Sequence, residues 1–490
     1  MAGRVVVIGG GIGGLGTACL LGRSGYEVTL LEKNERVGGR ANLLEDAGFR
    51  WDMGPSWYLM PDVFEAFFDL LGEKVGDHLR LRRLSPSYRI FFEDGDVVDM
   101  TGDLEADAET FERYEPGAGA RLREYLRLSE YQYQVAMSQF VPRNYDSIFE
   151  FCNPMLLLKG SSLHVFERME DYVSRYFSHP KLRQIIQYTL VFLGSSPYTT
   201  PALYNIMSHV DFNLGVWYPE GGIYEIVRVL ERLARESGVE IVTSCPAEAI
   251  VVEGGRVSGV STSRGFYRAD VVVSNADVYH TETRLLPPRY RSYSERYWRR
   301  RTLAPSAFII YLGVRGELPQ LLHHNLYFCE DWRTNFAQIF DRPEYPRNPS
   351  VYVCCPSRTD PSVSPAGHEN LFVLVPIAPG LPDNDEIRRS YAARVLGLLS
   401  EKLDIPDLRE RVVVQHTFSR RDFEERYNSY RGSALGLAHT LSQSAVFRPS
   451  NRSRKVRGLF YVGANTNPGI GMPMCLISAE LAWRRVVYGK

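Results

Sequence analysis

Residues 5–16 read VVVIGGGIGGLG. Four β-favouring aliphatic residues run straight into glycines, and helix-forming residues follow. Gly9, Gly11 and Gly14 make the pattern GxGxxG. By itself that pattern is common. Here a strand precedes it, a helix follows, and a second strand, YEVTLLE, ends on Glu32, 18 residues past Gly14. Together these elements are a dinucleotide-binding βαβ unit. Gly9 permits the tight turn, Gly11 lets backbone N–H groups approach a pyrophosphate, and Gly14 lets helix and strand pack closely. Ile12 and Gly13 complete the turn at the helix N-terminus, where partial positive charge favours phosphate. Glu32 is placed to accept from ribose hydroxyls, and Lys33 follows it.

Outward from this unit, the chain of 490 residues is long enough for more than one core. A net charge of −1 argues against a general nucleic-acid binder. The seven cysteines form no CxxC pair, and the histidines show no metal-ligand spacing, so no metal is expected. Val5–Ile8 enters a glycine turn, which reads as a strand and not as a secretory signal. No window carries enough uncharged apolar residues to cross a bilayer, which leaves attachment to one membrane face open.

Further along, Phe64, Phe67, Phe68 and Leu71 recur at helical spacing between Asp62 and Gly72. Residues 105–210 read as mainly helical and aromatic-rich. Gly254-Gly255 between two apolar runs signals a hairpin, and ADVVVSNAD (269–277) reads as a buried strand. Residues 295–425 mix strands such as AFIIYLGV, SVYVCC and NLFVLVPI with helices. The βαβ character returns at the start, middle and end, which implies domains interleaved in sequence. The expected division is 1–104, 211–294 and 426–490 for the dinucleotide domain, and 105–210 with 295–425 for a substrate domain.

After Glu32 come Gly38-Gly39-Arg40 and then Asp52-Met53-Gly54-Pro55-Ser56-Trp57. Arg40 suits a phosphate, and Gly39 suits a close backbone approach. These segments resemble the flavoprotein superfamily of amine oxidases and carotenoid desaturases, which makes FAD the implied cofactor. No second GxGxxG occurs, so a nicotinamide domain is not expected, and electrons leave for dioxygen or a quinone.

Four further segments narrow the resemblance: GVWYPEGGIYEIVRVLERLARESGVEI (215–241), VSNADVYHT (273–281), SVYVCCPSRTDPSVSPAGHENLFVLVPI (350–377) and GSALGLAHTLSQSAVFRPSNRS (432–453). With the C-terminal GANTNPGIGMPMC (463–475), they make the chain similar to the bacterial-type phytoene desaturase family from residue 4 to 487. The resemblance implies an α/β, Rossmann-like (GR2-type) FAD domain interleaved with an α+β substrate domain. It implies an FAD-dependent oxidoreductase that desaturates a long polyene hydrocarbon, most simply phytoene to lycopene. It also implies a cytoplasmic protein held peripherally at the inner face of the cell membrane. Carried over by motif, the nucleotide contacts fall on Gly9, Gly11, Gly14, Glu32 and Arg40. The flavin-side turn falls on Gly54, Pro55 and Ser56, and the adenine-side strand on Pro246 and Ala247. Asn275 and Ala276 match the family's Asn-Ala-Asp turn, and the last contacts fall on Gly463, Ala464, Gly471 and Met472. The family usually reads G-A-G-T-H-P-G at the corner, whereas here Asn465 and Asn467 replace Gly and His. An αL backbone at 465 would suit Asn.

Desaturation requires a C–H held near flavin N5 and a helix N-terminus aimed at the flavin's electron-rich edge. Asp146, in the apolar context NYDSIFEF, is the carboxylate singled out as a base or cation stabiliser, with a helix N-cap as its structural reading. Glu220 in WYPEGG is a second. The helix at 62–72 and the apolar stretch 151–168 are the segments expected either to dock on a membrane or to be core. Three other readings remain open. One is a different carotenoid-modifying flavoenzyme (a diapophytoene or hydroxycarotenoid desaturase, an isomerase or a methyl oxygenase). Another is an amine oxidase. The third is a non-catalytic prenyl-lipid escort, which would not need the intact nucleotide motifs.

Overall fold

The computed structural model describes residues 3–147, 164 and 167–489. Its first layer is a five-stranded parallel sheet in the order Leu459–Tyr461, Val271–Ser274, Arg4–Ile8, Glu27–Leu31, Glu240–Val242. Alternation in the first strand explains its central place. Val5 and Val7 enter a core with helices Ile12–Arg23 and Tyr224–Glu236, while Val6 and Ile8 enter another against the hairpin sheet. That hairpin sheet comprises Ala247–Glu253, Arg256–Thr262 and Gly265–Arg268, and its first turn is at Gly254-Gly255, as expected. The buried strand expected within 269–277 is Val271–Ser274. Helix Ile12–Arg23 also packs on the C-terminal helix Met472–Tyr488. A Cβ at Gly16 would stand 3.2 Å from Ala479 Cβ, so the two helices meet closely there.

The second layer is a seven-stranded mixed sheet in the order Val412–Phe418, Ser306–Arg315, His368–Ile377, Val351–Cys354, His324–Phe328, Tyr88–Phe92, Val97–Met100. Its last two strands correct the expected boundary at 104. Tyr88–Phe92 pairs parallel with His324–Phe328, so residues 88–100 belong to the substrate-side sheet. Long-range pairing decided their place, and local pattern does not report it. Helices Leu104–Tyr114 and Ala118–Gln139 then bury Phe111, Leu122 and Tyr125 in the same core.

Pro61–Leu70 is the expected amphipathic helix, but it is not a membrane dock. Its apolar face, Val63, Phe64, Phe67 and Phe68, is buried in the protein, and the residues it exposes include Asp62, Glu65 and Asp69. The stretch 151–168 falls almost wholly outside the described residues. Among the described residues no helix is long and apolar enough to cross a membrane.

Candidate active site

A single cavity of about 1680 Å³ runs from the glycine turn of the first sheet to the aromatic residues of the second. This exceeds the roughly 300–1,000 Å³ of a single ligand site, so it has room for a dinucleotide and a second molecule. Of the residues singled out for the cofactor, Gly9, Gly11, Ile12, Gly13, Glu32, Lys33, Gly39, Arg40, Gly54, Pro55, Ser56 and Trp57 line it. So do Ala247, Asn275, Ala276, Gly463, Ala464, Gly471 and Met472. Gly14 stands behind the wall. A Cβ there would lie 2.0 Å from Gly9 O, so only glycine lets helix and turn meet.

The nucleotide end is built from backbone donors and a buried carboxylate. Glu32 accepts from Gly10 N–H at 2.8 Å and from Asn34 N–H at 2.8 Å, so it fixes the turn as well as facing the cavity. Gly38 N–H donates to Gly10 O at 2.7 Å, which brings the Gly-Gly-Arg segment over the first turn. Arg40 donates to Ser429 Oγ at 2.7 Å, and its buried Nε has no partner among the described residues. Lys33 Nζ is held by Glu425 O at 2.6 Å.

The C-terminal corner abuts the first. Helix Ile12–Arg23 has Gly11 as its N-cap, and helix Met472–Tyr488 has Gly471, so two helix N-termini open onto one cavity. Asn275 ties them together when its amide is turned to the orientation its neighbours favour: the side-chain oxygen then accepts from Gly11 N–H (3.2 Å) and the nitrogen donates to Val462 O (3.3 Å). Asn465 is not in the left-handed region, which corrects the reason offered for it. Its amide instead bridges Leu437 N–H (3.0 Å) and Asp277 (2.9 Å). Asn467 lines the cavity. Beside it, His439 is wholly buried. Burial, and then Arg448, push its imidazole down to about 3, so it is neutral at neutral pH.

Two carboxylates singled out from sequence lie elsewhere. Asp146 is absent from the cavity lining, although Arg143 and Tyr145 are in it. Its two oxygens pair with Arg485 at 2.8 Å and Arg452 at 3.0 Å. Arg485 is only 3% exposed in its side chain, so Asp146 neutralises a buried guanidinium. Its apolar sequence context concealed a partner 339 residues away. Glu220 pairs with Arg82 on the surface at 3.1 Å. Sequence reasoning missed Tyr427, Asn428 and His280, which line the nucleotide end without any local motif. Burial, followed by Lys33 and Arg284, lowers His280 to about 4, which keeps it neutral beside the turn.

The arrangement suits a dinucleotide lying between the two corners. The buried, unpartnered Arg40 Nε and Trp57 Nε1 and the two open helix ends are what such a group would satisfy. Comparison with known proteins agrees. The family model described as "Flavin containing amine oxidoreductase" matches residues 12–487. A carotenoid 3,4-desaturase of Haloarcula japonica is 52% identical over 97% of this chain and 96% of its own. A zeta-carotene-forming phytoene desaturase of Myxococcus xanthus is 38% identical over 99% and 94%. The fold is shared with an oxidoreductase from Methanosarcina mazei at 17% identity and a TM-score of 0.64, covering 97% of this chain and 99% of that one. The chain belongs to the flavin-containing amine oxidoreductase family, within its carotenoid desaturases, and is an FAD-dependent oxidoreductase acting on CH–CH bonds.

Proposed function

We propose that this enzyme desaturates the 3,4 bond of a carotenoid, in place of the phytoene-to-lycopene conversion expected from the sequence. The observation that carries this reading is the 52% identity to a carotenoid 3,4-desaturase over nearly the whole of both chains. Phytoene desaturation is the second reading, supported by the 38% relative. Bound FAD supplies a two-electron oxidant that accepts hydride. The chain's own task is to bind and orient. Phe192, Phe328, Trp332, Phe336, Ile339 and Phe340 line the far half of the cavity. Burying a polyene against such walls stabilises it by about 25 cal/mol per Å² without any polar handle. The Gly471 helix end would favour negative charge on the electron-rich edge of a flavin held there.

Leu441 and Phe447 line the cavity yet expose 42% and 50% of their surface. They mark an apolar rim through which a lipid-dissolved substrate enters from a membrane surface. A quinone or dioxygen takes the electrons, because the chain carries one dinucleotide fingerprint only. The test is expression in two bacteria, one accumulating lycopene and one phytoene, followed by pigment chromatography with mass detection. The expected result is a product two hydrogens poorer than lycopene, with phytoene untouched. Loss of phytoene alone would replace this reading with the second, and no change in either strain would contradict both.

A further inference from the structure

Removing two hydrogens from adjacent carbons sends one away as hydride and leaves a proton in an apolar cavity. We propose that Tyr352, His324 and His323, with Ser56 orienting the Tyr352 hydroxyl, form a proton relay that carries this proton from the cavity towards a surface pocket at Asp360. The relay rests on the dehydrogenation common to the family and not on which carotenoid is taken.

Ser56 and Tyr352 both line the cavity. Ser56 Oγ lies 2.8 Å from Tyr352 OH, and Tyr352 OH lies 2.8 Å from His324 Nδ1. His324 is fully buried and lies flat against Trp57, with ring centroids 4.0 Å apart and 8° between planes, which fixes its aim. Its Nε2 and both ring nitrogens of His323 are buried without partners. Unpaired buried nitrogens are rare in a native fold, and here three lie on two rings whose centroids are 4.5 Å apart. The His323 ring meets Tyr218 edge-on at 4.6 Å. Tyr218 OH donates to Asp360 at 3.1 Å, and Asp360 lines a second pocket with Arg82 and Glu220.

Cys354 stands opposite His324 in the antiparallel register, and the three side chains place ligand atoms within 4.8 Å of one another. One water at about 2.8 Å from each of two nitrogens would bridge a separation within that limit. Burial lowers both imidazoles, His323 to about 3 and His324 well below its ordinary range, so neither stores the proton.

In the step itself, the C–H electron pair becomes the new C=C bond. Its proton goes to Tyr352 Oη as the Tyr352 hydroxyl proton passes to His324 Nδ1. The His324 Nε2 proton leaves through a bridging water to His323 and from there through water to the Asp360 pocket, since no direct hydrogen bond makes either link among the described residues. Bound FAD would supply the two-electron oxidant for the hydride, so the electrons would balance.

The test uses the FAD-loaded protein mixed anaerobically with polyene in phospholipid vesicles while flavin bleaching is followed. Tyr352→Phe and His324→Gln are expected to slow bleaching by about 10²- to 10⁴-fold. FAD content and substrate affinity should not change, and the wild-type solvent deuterium effect should vanish. Variants that bleach at the wild-type rate overturn the relay. Independently of turnover, ¹⁵N NMR of the holoenzyme should find His324 Nδ1 unprotonated. A protonated Nδ1, or a stoichiometric metal on His323, His324 and Cys354, overturns it even if the polyene proves to be the wrong one.

Discussion

Glu32 carries two jobs on one carboxylate. It holds Gly10 and Asn34 N–H, both at 2.8 Å, and it faces the nucleotide end of the cavity. Hydrogen bonds to a charged group contribute about 1.5–3 kcal/mol each. Glu32→Ala should therefore weaken FAD retention by about 10- to 100-fold, measured as the flavin-to-protein ratio after dialysis. Unchanged occupancy would contradict the assignment. This residue was legible because its distance from Gly14 is set by one helix and one strand. Asn465 was legible as a departure but not in its reason. Its partners, Leu437 and Asp277, sit 28 and 188 residues away, where no local rule reaches.

Among elements, the loop holding Asp146 is tied to the C-terminal helix through Arg485. The arginine is buried, but the Asp146 side chain is 39% exposed, so solvent offsets part of the pair. Asp146→Ala should destabilise the protein by about 1–3 kcal/mol, less than loss of a fully buried pair. Thermal unfolding of the holoprotein checks this. Flavin bleaching per bound FAD should change less than a few-fold, and a large loss at unchanged stability would return Asp146 to the chemistry. Elements with strong local signals were read correctly: the βαβ start, the Gly254-Gly255 hairpin and the helix at Pro61–Leu70. The domain boundary expected at 104 falls too late because the partner of Tyr88–Phe92, the strand His324–Phe328, is more than two hundred residues away. The helix's place was also hidden. An apolar face looks the same whether it meets a membrane or a core, and here it meets the core.

Across the whole molecule, the second glycine corner explains the interleaved chain. The first corner begins the dinucleotide sheet and the last corner ends it, and Asn275 joins them between. The intervening segments build the mixed sheet that walls the other half of the cavity. The cavity's cofactor end was legible because glycines and a buried carboxylate leave a spaced pattern. The substrate end was not, because aromatic residues lining a cavity and aromatic residues filling a core carry the same pattern. The central claim, an apolar polyene oxidised by FAD in that cavity, is tested most directly by anaerobic mixing of the FAD-loaded protein with lycopene in phospholipid vesicles. The account predicts stoichiometric bleaching of the flavin together with one equivalent of a product two hydrogens poorer, with the new double bond at the 3,4 position. A flavin that stays oxidised with lycopene and phytoene alike, yet is bleached by an amine, would contradict it.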